Sequence, residues 1–95
     1  GATSELKQMT VQIPKEAENV IIRMDKVPYI DQTGLYTLED IILDLNQKDI
    51  SVSFVGLNEQ PAVLLEKIEV IPNLVPDIRV FDSFDDCLRF LLKGT

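Results

Sequence analysis

The fold is decided by residues 27–45, which read Val27-Pro28-Tyr29-Ile30-Asp31-Gln32-Thr33-Gly34-Leu35-Tyr36-Thr37-Leu38-Glu39-Asp40-Ile41-Ile42-Leu43-Asp44-Leu45. Just before them, the apolar and β-branched run from Val20 to Met24 predicts a strand. From position 35 to 45, leucine and isoleucine recur every three or four residues, which predicts an amphipathic helix. The stretch therefore carries a strand through the polar turn Asp31–Gly34 directly into a helix.

Composition limits the chain to one domain and removes several classes of function. Ninety-five residues form a single modest core, and the formal charge of −7 repels phosphate backbones, so we expect no nucleic-acid partner. Histidine is absent, which excludes histidine-based acid/base catalysis and the common zinc sites. The single cysteine, Cys87, has no partner for an intrachain disulfide, which fits a reducing compartment.

The sequence contains no segment that resembles a membrane span. No apolar run reaches the roughly 18 residues that a spanning helix needs, and no basic-then-apolar signal opens the chain. We therefore expect no direct membrane insertion of this segment, although it could be the cytosolic part of a membrane protein.

The N-terminal residues 1–13 predict a short helix. Leu6, Met9 and Ile13 share one helical face, and Thr3 or Ser4 is suited to cap it. A strand over residues 10–13 is the alternative, because β-branched residues alternate there.

The remaining elements alternate between strands and helices. A second strand is predicted over residues 51–57 and a third, short one over residues 78–81. The intervening helix begins at Asn58 as N-cap, with Pro61 in its first turn and an apolar stripe of Val63, Leu64, Ile68 and Ile71. A last helix follows Asp82 or Ser83 as cap, presents Phe84, Cys87, Leu88 and Leu91 on one face, and closes at Gly94.

This order, α-β-α-β-α-β-α, predicts an α/β fold with a small, mostly parallel sheet and right-handed βα crossovers. The first two strands have the apolar character of inner strands. Because a parallel sheet rarely has only three strands, we expect at least one strand before Gly1, so that residues 1–95 form a single domain truncated at its N-terminus.

The run from Val27 to Leu35 resembles the STAS family, which comprises anti-sigma-factor antagonists and the cytosolic tails of SulP-type sulfate and anion permeases. The shared signature is a strand ending in V-P-(F/Y)-(I/M)-D, two small or polar residues, and G-L. Two details resemble the permease branch in particular. Gly1-Ala2 is similar to the end of its F-F-G-A stretch, and residues 24–38 are similar to its M-x-x-V-P-(F/Y)-I-D-x-T-G-L-x-x-L run.

The resemblance implies a regulatory role for the turn. In the soluble antagonists the hydroxyl before the glycine is phosphorylated by a partner kinase, and that position is Thr33 here, with Asp31 matching the aspartate of the motif. Gln32 and Thr33 depart from the residues usual in the phosphorylated members, whereas threonine before glycine is common in permease tails.

The chemistry of the turn has two interpretations. A helix N-terminus offers unbonded N–H groups and partial positive charge, so Asp31, Gln32, Thr33 and Gly34 could contact an anion or a nucleotide. Alternatively, Asp31 and Thr33 simply cap the helix and Gly34 permits close approach of strand and helix.

Asn58 follows the second strand and should lie beside this turn, because the C-terminal ends of parallel strands lie at the same edge of the sheet. Ligands of parallel α/β sheets bind at that edge. The simpler interpretation, which we favour, makes Asn58 an N-cap followed by two exposed polar residues, Glu59 and Gln60.

The other candidate residues favour structural roles. Glu39, Asp40 and Asp44 are expected to form a solvated helix face without metal-ligand spacing. Cys87 lies among apolar residues and is expected to be a core hydrophobe.

These observations predict a non-catalytic cytosolic regulatory and protein-interaction domain of a SulP-type sulfate/anion transporter, at the cytoplasmic face of the inner (plasma) membrane. Its expected partner is the transport domain of the parent permease or another protein, and a homodimer is a further option. We expect it to hold no metal and no cofactor. The alternative is a stand-alone anti-sigma-factor antagonist that is switched by phosphorylation of Thr33.

Overall fold

A computed structural model describes residues 17–93 of the chain. Strand β1 spans Asn19–Arg23, helix α1 Gln32–Gln47, β2 Ser51–Val55, and α2 Glu59–Lys67. A single turn, α3, follows over Val70–Asn73, then a 3-10 turn over Asp77–Arg79, strand β3 over Val80–Phe81, and helix α4 over Phe84–Lys93.

The three strands form a parallel sheet in the order β1-β2-β3. β1 pairs with β2 from Asn19 opposite Ser51 to Arg23 opposite Val55, and β3 pairs with β2 from Phe54 opposite Val80. The predicted α/β class with βα crossovers is confirmed. The prediction that β1 and β2 are both inner strands holds only for β2 within residues 17–93, where β1 pairs with β2 alone.

The main core lies between the sheet and helices α1 and α2. Alternate strand side chains point to this face because successive residues of a strand face opposite ways. Ile22, Val52 and Phe54 are 3% exposed or less, and they join Leu38 and Leu65 in one buried cluster. The apolar residues whose spacing predicted α1 therefore form its buried face.

The opposite face of the sheet is covered by α4 near β2 and β3. Its Cys87 is fully buried, as is Ser53 of β2. At the margin of this layer the rings of Phe81 and Phe90 lie 5.4 Å apart, and the Arg23 guanidinium lies 4.8 Å from the centre of the Phe84 ring. The sheet is thus a middle layer between helices.

Several predicted boundaries are corrected. α1 begins at Gln32 rather than Leu35, because Asp31 caps it and the polar residues that follow form its first turn. β2 ends at Val55 instead of Leu57, since Gly56 takes a positive φ of 73° that leaves the strand conformation. Residues 77–79 form a 3-10 turn, so β3 keeps only Val80 and Phe81.

The predicted apolar stripe of α2 is confirmed in part, because Leu64 and Ile68 pack against the core. Pro61 and Leu65 are buried, whereas Val63 is 55% exposed. The helix ends at Lys67 and Glu69 turns the chain with a φ of 64°, so Ile71 is buried through the separate turn α3. The predicted stripe therefore omitted Leu65, included the exposed Val63 and continued to Ile71, which belongs to the next turn.

The last helix agrees with the sequence. The Ser83 hydroxyl accepts a hydrogen bond from the Asp86 N–H at 3.1 Å, which makes it the side-chain cap. The helix predicted over residues 1–13 and the closing role of Gly94 lie outside the described residues, and the strand expected before Gly1 stays a prediction.

Candidate functional site

The loops after β1 and β2 lie side by side at one edge of the sheet. This follows from the parallel register, which is extended beyond the strands by a 2.8 Å hydrogen bond from the Met24 N–H to the Val55 carbonyl. The segments around Asp31 and Asn58, 27 positions apart in sequence, therefore occupy the same edge, as the general placement of sites in parallel α/β sheets led us to expect.

Asp31 is the N-cap of α1. Its backbone is extended (φ −86°, ψ 175°), and its Oδ1 accepts a 2.7 Å hydrogen bond from the Gly34 N–H. The Asp31 carbonyl accepts the first helical hydrogen bond, from the Leu35 N–H at 2.9 Å. A carboxylate is the favoured group at this position, because it satisfies an orphan donor and faces the positive end of the helix dipole.

Thr33 does not cap the helix, contrary to one of our interpretations. It lies inside the first turn, where Gln32 and Thr33 are both exposed. The Thr33 hydroxyl forms no hydrogen bond with any residue between 17 and 93. Its exposure leaves the hydroxyl accessible from solvent.

Gly34 is buried at a tight contact. A Cβ atom placed on it would lie 3.0 Å from Ile30 Cγ1 and 3.1 Å from Asp31 Oδ1. The predicted close approach of strand and helix is corrected: the residues that come close to Gly34 are Ile30 and Asp31, which belong to no strand.

The carboxylate of Asp31 already takes the position that an anion would use. At a free helix N-terminus, a phosphate is held by the first N–H groups. Here one of these donors, the Gly34 N–H, is bonded to Asp31, whose negative charge opposes a second anion at the same point. The turn therefore supports capping more strongly than anion binding.

Asn58 holds the end of β1 in place instead of capping α2 with its side chain. It occupies the N-cap position, but its side chain makes no capping hydrogen bond. Its Nδ2 lies 3.3 Å from the Met24 carbonyl oxygen, 3.4 Å from that of Asp25 and 3.0 Å from that of Val27. This corrects the N-cap interpretation: the side chain donates to the loop after β1.

Gln60 bonds to the backbone of Ile30 through both ends of its amide. The Ile30 N–H donates to Gln60 Oε1 at 2.9 Å, and Gln60 Nε2 donates to the Ile30 carbonyl at 3.0 Å. Sequence reasoning missed this pair and placed Gln60 on an exposed surface. No local signal reveals it, because the partner is a backbone 30 positions away whose own sequence looks apolar.

Gly56 completes the junction between the two loops. A Cβ atom on it would lie 2.8 Å from the Asp25 Cβ, and its N–H donates to the Phe81 carbonyl at 2.9 Å. The loop after β1 thus packs directly against the backbone that follows β2.

An open depression of about 560 Å³ lies beside this junction. It is lined by Pro28, Asn58, Glu59, Gln60, Val63 and Leu64. Tyr29, the next residue after Pro28, is 67% exposed. An exposed aromatic and an apolar-walled depression at the same edge are typical of surfaces that bind proteins.

The other candidate residues have structural surroundings. Asp44 pairs with Lys48 at 2.9 Å on the solvent side of α1, and Asp40 is exposed. No group of three or more potential metal ligands occurs between residues 17 and 93. Within the same range, no helix has the length and apolar character needed to cross a membrane.

Cys87 is a core residue, as predicted. It is fully buried, and burial raises the pKa of its thiol above the usual 9.0, an effect that the nearby Ser53 hydroxyl and the Arg79 charge partly oppose. A raised thiol pKa reduces the thiolate fraction and hence the reactivity.

Comparison with known proteins gives a consistent result. A family model for the STAS domain matches residues 2–87. The chain is 28% identical to a sulfate transporter family protein from Wolinella succinogenes, with a TM-score of 0.82 over 100% of this chain and 79% of that one. It is also 28% identical to the SulP transporter STAS domain from Vibrio cholerae, with a TM-score of 0.80 over 98% of this chain and 72% of that one. No curated protein matches the sequence.

Proposed function

Because this chain belongs to the STAS domain family, we propose that it is the non-catalytic regulatory and protein-interaction domain of a SulP-type sulfate/anion transporter. The observation that carries the proposal is the similarity, over nearly the whole chain, to two solved domains described as sulfate transporter family and SulP transporter proteins. Neither is described as an anti-sigma-factor antagonist, so no observation favours the stand-alone alternative.

The chemistry of the candidate site supports interaction rather than catalysis. Its polar groups are engaged in structural hydrogen bonds: Asp31 caps α1, and Gln60 bonds to Ile30. The exposed Thr33 hydroxyl has no base within hydrogen-bond distance in residues 17–93. A hydroxyl nucleophile needs a base to activate it, whereas a residue that only binds a partner protein needs none.

The proposal places the domain at the cytoplasmic face of the inner (plasma) membrane, joined to the transport domain of the same protein. The transport domain is then its first partner, and another protein or a second tail are further partners. With a formal charge of −7, the domain repels nucleic acid and anionic lipid headgroups and attracts basic protein segments.

The complete reading frame of the gene tests the proposal directly. We expect ten or more apolar helices encoded before Gly1, each about 20 residues long. A start codon only a few tens of residues upstream of Gly1 would contradict it.

Transport measurements test the regulatory part. The full reading frame and a version that lacks residues 1–95 would be expressed in a strain deficient in sulfate uptake, and the amount of each protein in the membrane measured by immunoblot. We expect the shortened protein to reach the membrane and to take up labelled sulfate at a changed rate. Equal uptake per molecule would count against a regulatory role.

We assign no cofactor or nucleotide to the domain, because the Asp31 carboxylate already accepts from the Gly34 N–H and repels an anion at the start of α1. Calorimetric titration with GTP or ATP is expected to give no heat, with no chemical-shift change at residues 31–34 or at Asn58. Saturable heat with shifts at these residues would overturn this assignment.

A further inference from the structure

We propose that the depression lined by Pro28, Asn58, Glu59, Gln60, Val63 and Leu64 binds an arginine side chain flanked by apolar residues, presented by a basic protein segment. The inference rests on the proposed function, which supplies the protein that the segment comes from. The chemistry of the lining indicates which residue types the segment carries.

The walls of the depression suit an aliphatic stem. Val63 on α2 is 55% exposed, and Pro28, which also lines the depression, is exposed as well. Leu64 lies between the surface and the core. The three methylene groups of an arginine can cover such apolar surface while its head stays at the polar end.

The free side-chain polar atoms of the lining are hydrogen-bond acceptors, whereas its free donors are the first backbone N–H groups of α2, at Glu59 and Gln60. Gln60 uses both ends of its amide on Ile30. The Nδ2 of Asn58 is directed at the carbonyls of the β1 loop, so its Oδ1, which accepts no hydrogen bond from residues 17–93, remains available. The Glu59 carboxylate is the second acceptor. A partner that bonds to both of these side chains must supply donors, and a guanidinium supplies five in a planar fork.

The charge around these acceptors has the complementary sign. Glu59 is the single charged residue among those that line the depression, and the domain as a whole carries −7. An acidic peptide, an anionic headgroup or a phosphate would meet repulsion here, whereas a cation gains from it.

The proposed function supplies a segment of this kind. Cytoplasmic loops of membrane proteins carry an excess of lysine and arginine next to their apolar helices. A loop of the transport domain thus combines the positive charge and the apolar flanks that the depression fits, and docking there would join the transport domain to the edge of the sheet that bears Thr33.

The test is an NMR titration of the ¹⁵N-labelled 95-residue chain with the peptide Gly-Ser-Gly-Leu-Arg-Leu-Gly-Ser-Gly at low salt. We expect saturable shifts confined to the backbone amides of Asn58, Gln60 and Val63 and their neighbours. A peptide with alanine in place of the arginine should bind up to about fivefold more weakly, as expected for the loss of one partly exposed ion pair. Shifts elsewhere, no shifts, or equal binding of the two peptides would overturn the proposal.

Two variants with matched charge changes sharpen the result. Glu59→Gln removes the carboxylate of the depression, and Asp85→Asn removes one from the first turn of α4 on the opposite face of the sheet. Both lose a similar helix-dipole interaction, so only the binding should separate them. We expect a loss of about fivefold in affinity for Glu59→Gln and no change for Asp85→Asn. Equal effects would show non-specific charge attraction and refute the site.

The outcome is independent of the reading-frame experiment. If the gene encodes a transport region and the peptide does not bind, the depression is wrong and the proposed function stands. If the peptide binds and no transport region is encoded, the proposed function falls and the basic partner must come from another protein.

Discussion

The side-chain amide of Gln60 and the backbone of Ile30 form a closed pair of hydrogen bonds, at 2.9 Å and 3.0 Å, across 30 positions of sequence. In this arrangement Gln60 satisfies both backbone groups of a buried residue that belongs to no strand or helix. The pair fixes the loop between β1 and α1 to the first turn of α2. The residues just before the cap of α1 and those that begin α2 therefore form one rigid edge.

Removing this amide should destabilise the fold. Gln60→Ala leaves the Ile30 N–H and carbonyl without partners in a partly buried place, and we expect a loss of about 1–3 kcal/mol in the free energy of unfolding. Urea denaturation followed by circular dichroism measures it. The control is Gln47→Ala, an exposed amide at the end of α1, which should change stability by less than about 0.5 kcal/mol. A Gln60→Ala protein as stable as the control would contradict the importance of the pair.

Substitutions of Asn58 test whether its side chain caps α2 or donates hydrogen bonds to the loop after β1. Asn58→Asp preserves a good N-cap residue but replaces the Nδ2 donor by an oxygen facing the Met24 and Val27 carbonyls. We expect Asn58→Asp to lose at least as much stability as Asn58→Ala, on the order of 1–3 kcal/mol, because the carboxylate would meet acceptors only. Thermal or urea unfolding gives the comparison. Wild-type stability of Asn58→Asp would restore the N-cap interpretation.

The two glycines of the site should respond differently to alanine. Gly56→Ala combines a φ of 73° with a Cβ atom 2.8 Å from the Asp25 Cβ, and we expect a loss of about 1–3 kcal/mol. Gly34→Ala, in α1, meets the Ile30 side chain at 3.0 Å but gains helix propensity of up to about 1 kcal/mol, so its net effect should be smaller. Equal losses, measured in the same urea titration, would show that backbone conformation at Gly56 is not the deciding factor.

Substitutions of Asp31 and Thr33, at the start of α1, should differ in their effect on stability. We expect Asp31→Ala to cost about 0.5–2 kcal/mol through loss of the cap, and Asp31→Asn to recover most of it. Thr33→Ala removes an exposed hydroxyl that bonds to no described residue, so stability should be nearly unchanged. A stable Thr33→Ala protein is then a clean variant for transport measurements, whereas a marked loss of stability would reveal a structural role for Thr33.

The buried thiol of Cys87 predicts a pH dependence. Because burial raises its pKa in the folded chain above the usual 9.0, the unfolded chain ionises first as pH rises. The stabilisation is fully present below the unfolded pKa and is lost as pH rises through the folded pKa, with a slope of at most about 1.4 kcal/mol per pH unit. The difference in unfolding free energy between wild type and Cys87→Ala, measured from about pH 8 to about pH 10, one unit either side of the usual 9.0, should shrink as pH rises. A constant difference would exclude the effect.

Much of the fold could be predicted because its signals are local. The helical spacing of Leu35 and Leu38 and the β-branched character of β1 and β2 each act within a few residues, and alternation of strand and helix then requires parallel pairing. The boundaries were less accurate. Asp31 caps α1, which begins at Gln32 rather than at its predicted start, and the left-handed conformation of Glu69 divides the predicted helix into α2 and α3.

The sequence by itself determined the family, the α/β class and the position of the capped turn at Asp31, because a motif, a periodicity and a cap each depend on neighbouring residues. Only the tertiary structure decided what Asn58 and Gln60 do. Their hydrogen-bond partners are backbone groups of the loop after β1, about 30 positions away, and every residue carries such groups whatever its side chain. Side chains that bond to distant backbone leave no pattern in the sequence, and here they build the edge beside which the proposed arginine-binding depression lies.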